Sequence, residues 1–79
     1  MARIIDGTHS NIVGEYLKKA RITAGLSQKE LSEKLETEAV YVCRGSVSRI
    51  ENGTRTITDI EIDAISKVLK VSLDYLFGR

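Results

Sequence analysis

The sequence predicts an all-α domain of five short helices, and three observations support this prediction. Apolar residues recur with helical spacing along most of the chain, and no segment alternates polar and apolar residues long enough to predict a sheet. Two capping-box patterns mark helix starts, and three glycines fall where a helical pattern stops. A chain of 79 residues with 42% apolar and 29% charged residues can bury one modest core. These figures argue against a multi-domain enzyme.

The first helix is predicted to start at about residue 11, with Ser10 as a candidate N-cap. Residues 1–10 precede the helical pattern and are predicted to form an N-terminal arm, which leaves residues 11–79 as the domain itself. The apolar stripe of this helix repeats every three or four residues and consists of Val13, Leu17, Ala20 and Ala24.

The next two helices are predicted at about residues 28–35 and 44–52. The earlier one begins with a capping box, in which the Ser27 hydroxyl and the Glu30 carboxylate each accept a hydrogen bond from a backbone N–H. The inward-facing residues of the two helices are predicted to be Leu31, Leu35, Val47 and Ile50.

The C-terminal part is predicted to form a helix over residues 59–69, after a second capping box of Thr58 and Glu61, and a last helical turn after Ser72. The predicted core residues of these elements are Ile62, Ile65, Leu69, Leu73 and Leu76. The glycines that mark helix ends are Gly25, Gly53 and Gly78, since glycine adopts the left-handed conformation without strain.

The net charge of +1 conceals an uneven distribution along the chain. Residues 1–25 and 44–58 each carry a net +2, whereas residues 26–43 carry −2 and residues 59–79 carry −1. The predicted third helix and the loop after it are therefore cationic, although the whole chain is nearly neutral.

One face of the third helix has the side chains expected of a surface that enters a DNA major groove. On a helix that buries its apolar residues, the opposite face carries an arginine fork, a hydroxyl and a position without a side chain. These residues are Arg49, Ser46 and Gly45, with Arg44 at the N-terminal end. Glu51 leans toward the core side, where a carboxylate needs a partner, and Arg21 on the first helix is the best candidate.

Four separated blocks of the sequence resemble the lambda-repressor-like helix-turn-helix regulators, the Xre or Cro/C1 family. The blocks read VGEYLKKAR from Val13, GLSQKEL from Gly25, SVSRIENG from Ser46 and LKVSLDYL from Leu69. The resemblance implies a compact five-helix DNA-binding domain whose second and third helices form the helix-turn-helix. In this family the third helix lies in the major groove and the second crosses the phosphate backbone.

The resemblance also implies roles for individual residues. Gln28 matches the glutamine that contacts a phosphate and braces the recognition helix, and Ser27 caps the second helix beside it. Arg21 and Glu51 match a structural salt bridge between the first and third helices. The positions that face the bases are Arg44, Gly45, Ser46 and Arg49, and the following loop that holds the DNA backbone contains Asn52, Thr54 and Arg55.

The turn at residues 36–43 departs from the family, because it is about five residues longer than the usual turn of a helix-turn-helix. It is either a harmless insertion or a segment that contacts an effector, a partner or the DNA backbone. Cys43 at its end is either a small apolar residue or a redox sensor.

The resulting functional prediction is a regulator that binds double-stranded DNA, with repression from a two-fold operator as a homodimer as the favoured mode. Tyr75 and Phe77 either form the dimer surface or close the core. The alternative is an antitoxin or adaptor that acts on a protein partner, which the acidic second helix favours. A cytoplasmic protein without cofactor, metal, membrane contact or enzymatic activity is expected, since one cysteine and one histidine, His9, provide no metal set or catalytic group.

Overall fold

A computed structural model describes residues 10–79 and contains five helices within that range. They are α1 (Gly14–Thr23), α2 (Gln28–Glu36), α3 (Arg44–Glu51), α4 (Asp59–Leu69) and α5 (Leu73–Leu76). The all-α prediction is confirmed, and α2 to α5 begin at the predicted residues. Apart from Ser10, the predicted N-terminal arm lies outside the described residues, as does His9.

The start of α1 differs from the prediction, because Ser10 does not cap this helix. The helix begins at Gly14, whose N–H donates to Oδ1 of Asn11 at 2.7 Å. Nδ2 of Asn11 donates in turn to the backbone carbonyls of Ile50 at 3.0 Å and Arg55 at 2.8 Å. Asn11 thus ties the start of α1 to the end of α3 and to the loop beyond it, which keeps residue 11 itself outside the helix.

Gly14 allows the backbones of α1 and α3 to come into direct contact. A Cβ atom at this buried position would overlap the carbonyl oxygen of Ile50. The end of α3 is therefore placed against α1 at a distance that only glycine permits.

The core is formed by apolar residues from all five helices and from the segments that flank α1 and α3. Ala24 and Leu73, predicted to face inward, are exposed, and Ile62 is half-buried. Ala24 is the C-cap residue that follows α1. The buried apolar residues are Val13, Leu17, Ala20, Leu31, Leu35, Val42, Val47, Ile50, Ala64, Ile65, Leu69 and Leu76.

The starts of α2 and α4 have the expected capping interactions. Both capping boxes are present, with Glu30 N–H donating to Ser27 Oγ at 3.0 Å and Glu61 N–H donating to Thr58 Oγ1 at 3.2 Å. The three predicted C-terminal glycines have φ between 74° and 82°. Two non-glycine residues, Ala39 and Lys70, also adopt left-handed conformations, after α2 and α4 respectively.

Candidate nucleic-acid interface

The turn between α2 and α3 is an ordered structure rather than a loose insertion. The N–H groups of Glu38 and Val40 both donate to the Leu35 carbonyl, at 2.9 Å and 3.0 Å. Val40 is half-buried, and Val42 is only 3% exposed. The turn therefore contributes to the core and leads the chain into α3 at a fixed position.

The outward face of α3 contains the residues predicted to face the bases. Arg44, Gly45 and Arg49 are exposed, and Ser46 is half-buried. Nη2 of Arg49 donates to Ser46 Oγ at 3.1 Å, which orients the guanidinium along the helix surface. A Cβ atom at Gly45 would meet only Nη1 of Arg49, at an ordinary contact distance of 3.5 Å. Packing therefore does not require glycine here. The absence of a side chain at Gly45 leaves the backbone of α3 accessible at this position.

A polar cluster fixes α3 from the opposite side. Nε of Arg21 donates to Oε2 of Glu51 at 2.6 Å, and Nη2 donates to Oε1 at 3.1 Å. The side chains are only 10% and 4% exposed, respectively. The remaining guanidinium nitrogen of Arg21, Nη1, donates to the Leu26 carbonyl at 2.8 Å. Arg21 on α1 thus bonds both Glu51 on α3 and Leu26, which precedes α2. It therefore fixes the three helices relative to one another.

Gln28 also belongs to this cluster, in keeping with the family resemblance, which implied that it braces the recognition helix. Its Nε2 donates to Oε1 of Glu51 at 3.0 Å, so a single carboxylate accepts hydrogen bonds from α1 and α2. Gln28 is half-buried at the first position of α2, next to the exposed cap Ser27. Gln28, which is predicted to contact phosphate, is therefore held in place by Glu51 at the C-terminal end of α3.

Asn52 and Thr54 close the C-terminal end of α3 and are both exposed. Oδ1 of Asn52 accepts from the Thr54 hydroxyl at 2.7 Å and from its N–H at 3.2 Å. That N–H also donates to the Arg49 carbonyl at 2.9 Å. These bonds shape the loop that the family resemblance assigns to the DNA backbone.

Arg55 differs from the other arginines of the cationic segment, because its charge is compensated within the chain. Its Nη1 and Nη2 donate to the two carboxylate oxygens of Glu61, at 3.1 Å and 2.9 Å. The hydrogen bonds from Arg55 lower the pKa of Glu61, and the same carboxylate raises the pKa of Arg55. Sequence reasoning missed this pair, although Glu61 was already assigned to a capping box.

Cys43 is the N-cap residue of α3 and is exposed. Its thiol lies 3.5 Å from Ser46 Oγ, and hydrogen bonds with Ser46 lower the pKa of Cys43. It is therefore not one of the buried apolar residues of the core. Within residues 10–79, no group of three or more His, Cys, Asp or Glu side chains is placed to hold a metal ion.

The helix α3 has an exposed arginine face, is held on its inner side by a buried ion pair and follows a second helix. This arrangement is typical of DNA-binding helix-turn-helix proteins. A family model described as Helix-turn-helix matches residues 17–76. The chain belongs to this family, in its Cro/C1 type. It is accordingly a DNA-binding transcriptional regulator and not an enzyme.

A similar solved structure is that of the restriction-modification controller protein C.AhdI from Aeromonas hydrophila. The two chains are 26% identical and superpose with a TM-score of 0.71, over 82% of this chain and 87% of that one. A comparison with curated protein sequences gives no match. No helix described in residues 10–79 has the length and hydropathy to cross a bilayer.

Proposed function

We propose that this protein is a sequence-specific cytoplasmic repressor that binds a two-fold operator as a homodimer. The observation that carries the proposal is the outward face of α3, where Arg44 and Arg49 are exposed around Gly45 while Val47 and Ile50 are buried behind them. The similarity to a restriction-modification controller supports a controlling role for this chain as well.

Each part of the interface has a distinct role in this proposal. Arg49 offers a bidentate donor for O6 and N7 of guanine, and Gly45 lets the groove approach the helix backbone. Arg44 and Ser46 contact the neighbouring base edges. The residues that bind sugar and phosphate, and thereby position α3, are Ser27, Gln28, Asn52, Thr54 and Arg55.

Dimerisation follows from the small size of the reading surface. One short helix contacts only a few base pairs, and a second copy spaced by one helical turn of DNA multiplies the specificity. The apolar surface that suits this contact lies on α5, where Leu73 is 48% and Tyr75 is 37% exposed. Phe77, the other aromatic residue considered for this surface, packs against the core instead.

The central experiment is selection of bound sequences from random duplex DNA, followed by affinity measurements with two variants. Arg49→Ala should cost about 1–3 kcal/mol on the selected operator and relax the preference at one base step. An equal loss on every sequence would show that Arg49 contacts only phosphate.

Gln28→Ala is the companion variant, because it tests the placement of α2 on the DNA backbone. It should weaken specific and non-specific complexes together. The unfolding free energy must be measured in parallel, because Gln28 also donates to Glu51. Unchanged DNA binding would show that α2 does not lie on the phosphates.

The second candidate is an antitoxin or adaptor that acts through a protein partner. The acidic surface of α2, which includes the exposed residues Glu30, Glu33 and Glu36, favours this alternative. Selection that enriches no duplex sequence, combined with a stable complex with the product of a neighbouring gene, would support it over the repressor.

A further inference from the structure

Tyr41 is the most exposed large apolar or aromatic residue in the described part of the chain, with 74% of its surface accessible. A single exposed aromatic residue is common and needs no explanation by itself. The position of Tyr41 is unusual, because it lies two residues before the N-cap of the recognition helix.

The backbone on both sides of Tyr41 is fixed, so its side chain is held outward. Val40 and Val42 pack into the domain, and in an extended segment the residue between them points the opposite way. Ala39 adopts a left-handed conformation with φ of 60°, and its N–H donates to the Glu36 carbonyl at 2.9 Å. Such a conformation is costly for alanine and sets the direction in which the chain approaches α3.

We propose that Tyr41 is an additional DNA-binding residue, whose hydroxyl donates to a phosphate at the wall of the major groove that α3 enters. The inference rests on the proposed function. Because the N-terminal residues of a recognition helix contact base edges, the segment leading into that helix passes the sugar–phosphate wall. Tyrosine is among the side chains that bind phosphate oxygens, and Arg44 is exposed beside the same helix end.

This role gives the lengthened turn a function in positioning the protein on DNA. A tyrosine hydroxyl carries no charge at neutral pH, so its contact releases no counterion. Tyr41 therefore strengthens binding to all sequences alike and leaves the salt dependence unchanged. Arg49 differs in both respects, because it is charged and is assigned to a base.

The test compares Tyr41→Phe and Tyr41→Ala with Ile22→Ala, a control that removes another exposed apolar side chain, 58% accessible, from α1. Affinity for the selected operator and for a scrambled duplex is measured over a series of salt concentrations, together with the melting temperature and the sedimentation of the free protein. Tyr41→Phe should bind about fivefold and Tyr41→Ala about twentyfold more weakly to both duplexes. The salt slope, melting temperature and oligomeric state should equal those of the wild type and the control.

Several results would overturn the inference. If both Tyr41 variants bind like Ile22→Ala while the wild-type protein binds its operator, Tyr41 makes no DNA contact and the proposed function stands. A loss confined to the selected operator would assign Tyr41 to a base, and a loss accompanied by dissociation of a dimer would assign it to the protein interface. A wild-type protein that binds no duplex overturns both proposals.

Discussion

Arginine and glycine have opposite roles on the two sides of α3. On the inner side, Arg21 pairs with Glu51 in a buried cluster, and Gly14 brings the backbone of α1 onto the Ile50 carbonyl. On the outer side, Arg49 is exposed, and a Cβ atom at Gly45 would meet only the flexible side chain of Arg49. The same residue types therefore hold the helix in place on one side. On the other side they form an exposed cationic surface with no side chain at one position.

This difference shows why residue type alone does not assign function in so small a domain. A buried charge must be paired, because an uncompensated charge in the core is costly. An exposed charge contributes little to stability and remains available for a ligand. Stability measurements should therefore respond strongly to changes on the inner face and weakly to changes on the outer face.

The largest effect is expected from Gly14→Ala. The added methyl group would overlap the Ile50 carbonyl, and neither backbone can move without disrupting α1 or α3. We expect a loss of about 4 kcal/mol in unfolding free energy, measured by urea denaturation.

Gly45→Ala is the matched control, since its methyl group meets only the end of a flexible side chain. It should leave stability unchanged or raise it by about 0.5 kcal/mol through better helix propensity. Equal destabilisation by the two substitutions would remove the contrast between the faces.

The next effect is expected from Arg21→Met, which leaves Glu51 buried with only the Gln28 amide as a neutral partner. The cost should be about 3 kcal/mol, because breaking a buried pair strands a charge. The double variant Arg21→Met/Glu51→Met should regain at least half of that loss in the same denaturation experiment. A double variant as unstable as the single one would show that packing, rather than the stranded charge, dominates.

The smallest effect is expected from Glu61→Gln, which tests whether Arg55 belongs to the framework. The hydrogen bonds from Arg55 lower the pKa of Glu61 in the folded protein. The ion pair therefore stabilises the fold fully above the pKa of an unfolded glutamate, about 4.3. This stabilisation is lost as the pH falls through the lower pKa that Glu61 has in the folded protein. The variant should be about 1 kcal/mol less stable than the wild type at pH 7. The difference should shrink as the pH falls below about 4.

Asp63→Asn is the control for this pH series, because Asp63 pairs with Lys67 at 3.0 Å on the exposed surface, where both side chains are more than half accessible. Its effect should stay near zero at every pH. A stability difference for Glu61→Gln that does not change with pH would show that the Arg55–Glu61 contact does not act through charge.

The ion pairs also revise the interpretation of the cationic segment at residues 44–58. Its net +2 includes Arg55, which pairs with Glu61, and Glu51, which pairs with Arg21. The uncompensated exposed positive charge of this segment therefore comes from Arg44 and Arg49. Because non-specific affinity scales with the phosphates that a protein neutralises, this small number favours binding that depends on the correct base sequence.

Much of the fold could be predicted because its signals are local. The starts of α2 and α4 follow from capping boxes that span four residues, and their inward faces follow from helical spacing. Such patterns act between neighbours along the chain. The family blocks likewise indicated Arg21 and Glu51 as a pair, and the structure places their side chains in contact.

The errors fall where the partner is distant in sequence. Asn11 gives no local sign that it bonds Ile50 and Arg55, about forty residues away along the chain. The exposure of Ala24 and Leu73 has a similar cause, because spacing alone does not show where a helix stops or which neighbours cover its surface.

The sequence by itself determined the helices, the N-caps of α2, α4 and α5 and the family, since each depends on short-range hydrogen bonding and on apolar periodicity. Tertiary structure decided which partners several polar side chains bond within the domain. It joined Gln28 to Glu51, paired Arg55 with Glu61 and left Arg49 exposed beside Ser46. These outcomes depend on distances between helices, which close packing fixes only after the core has formed.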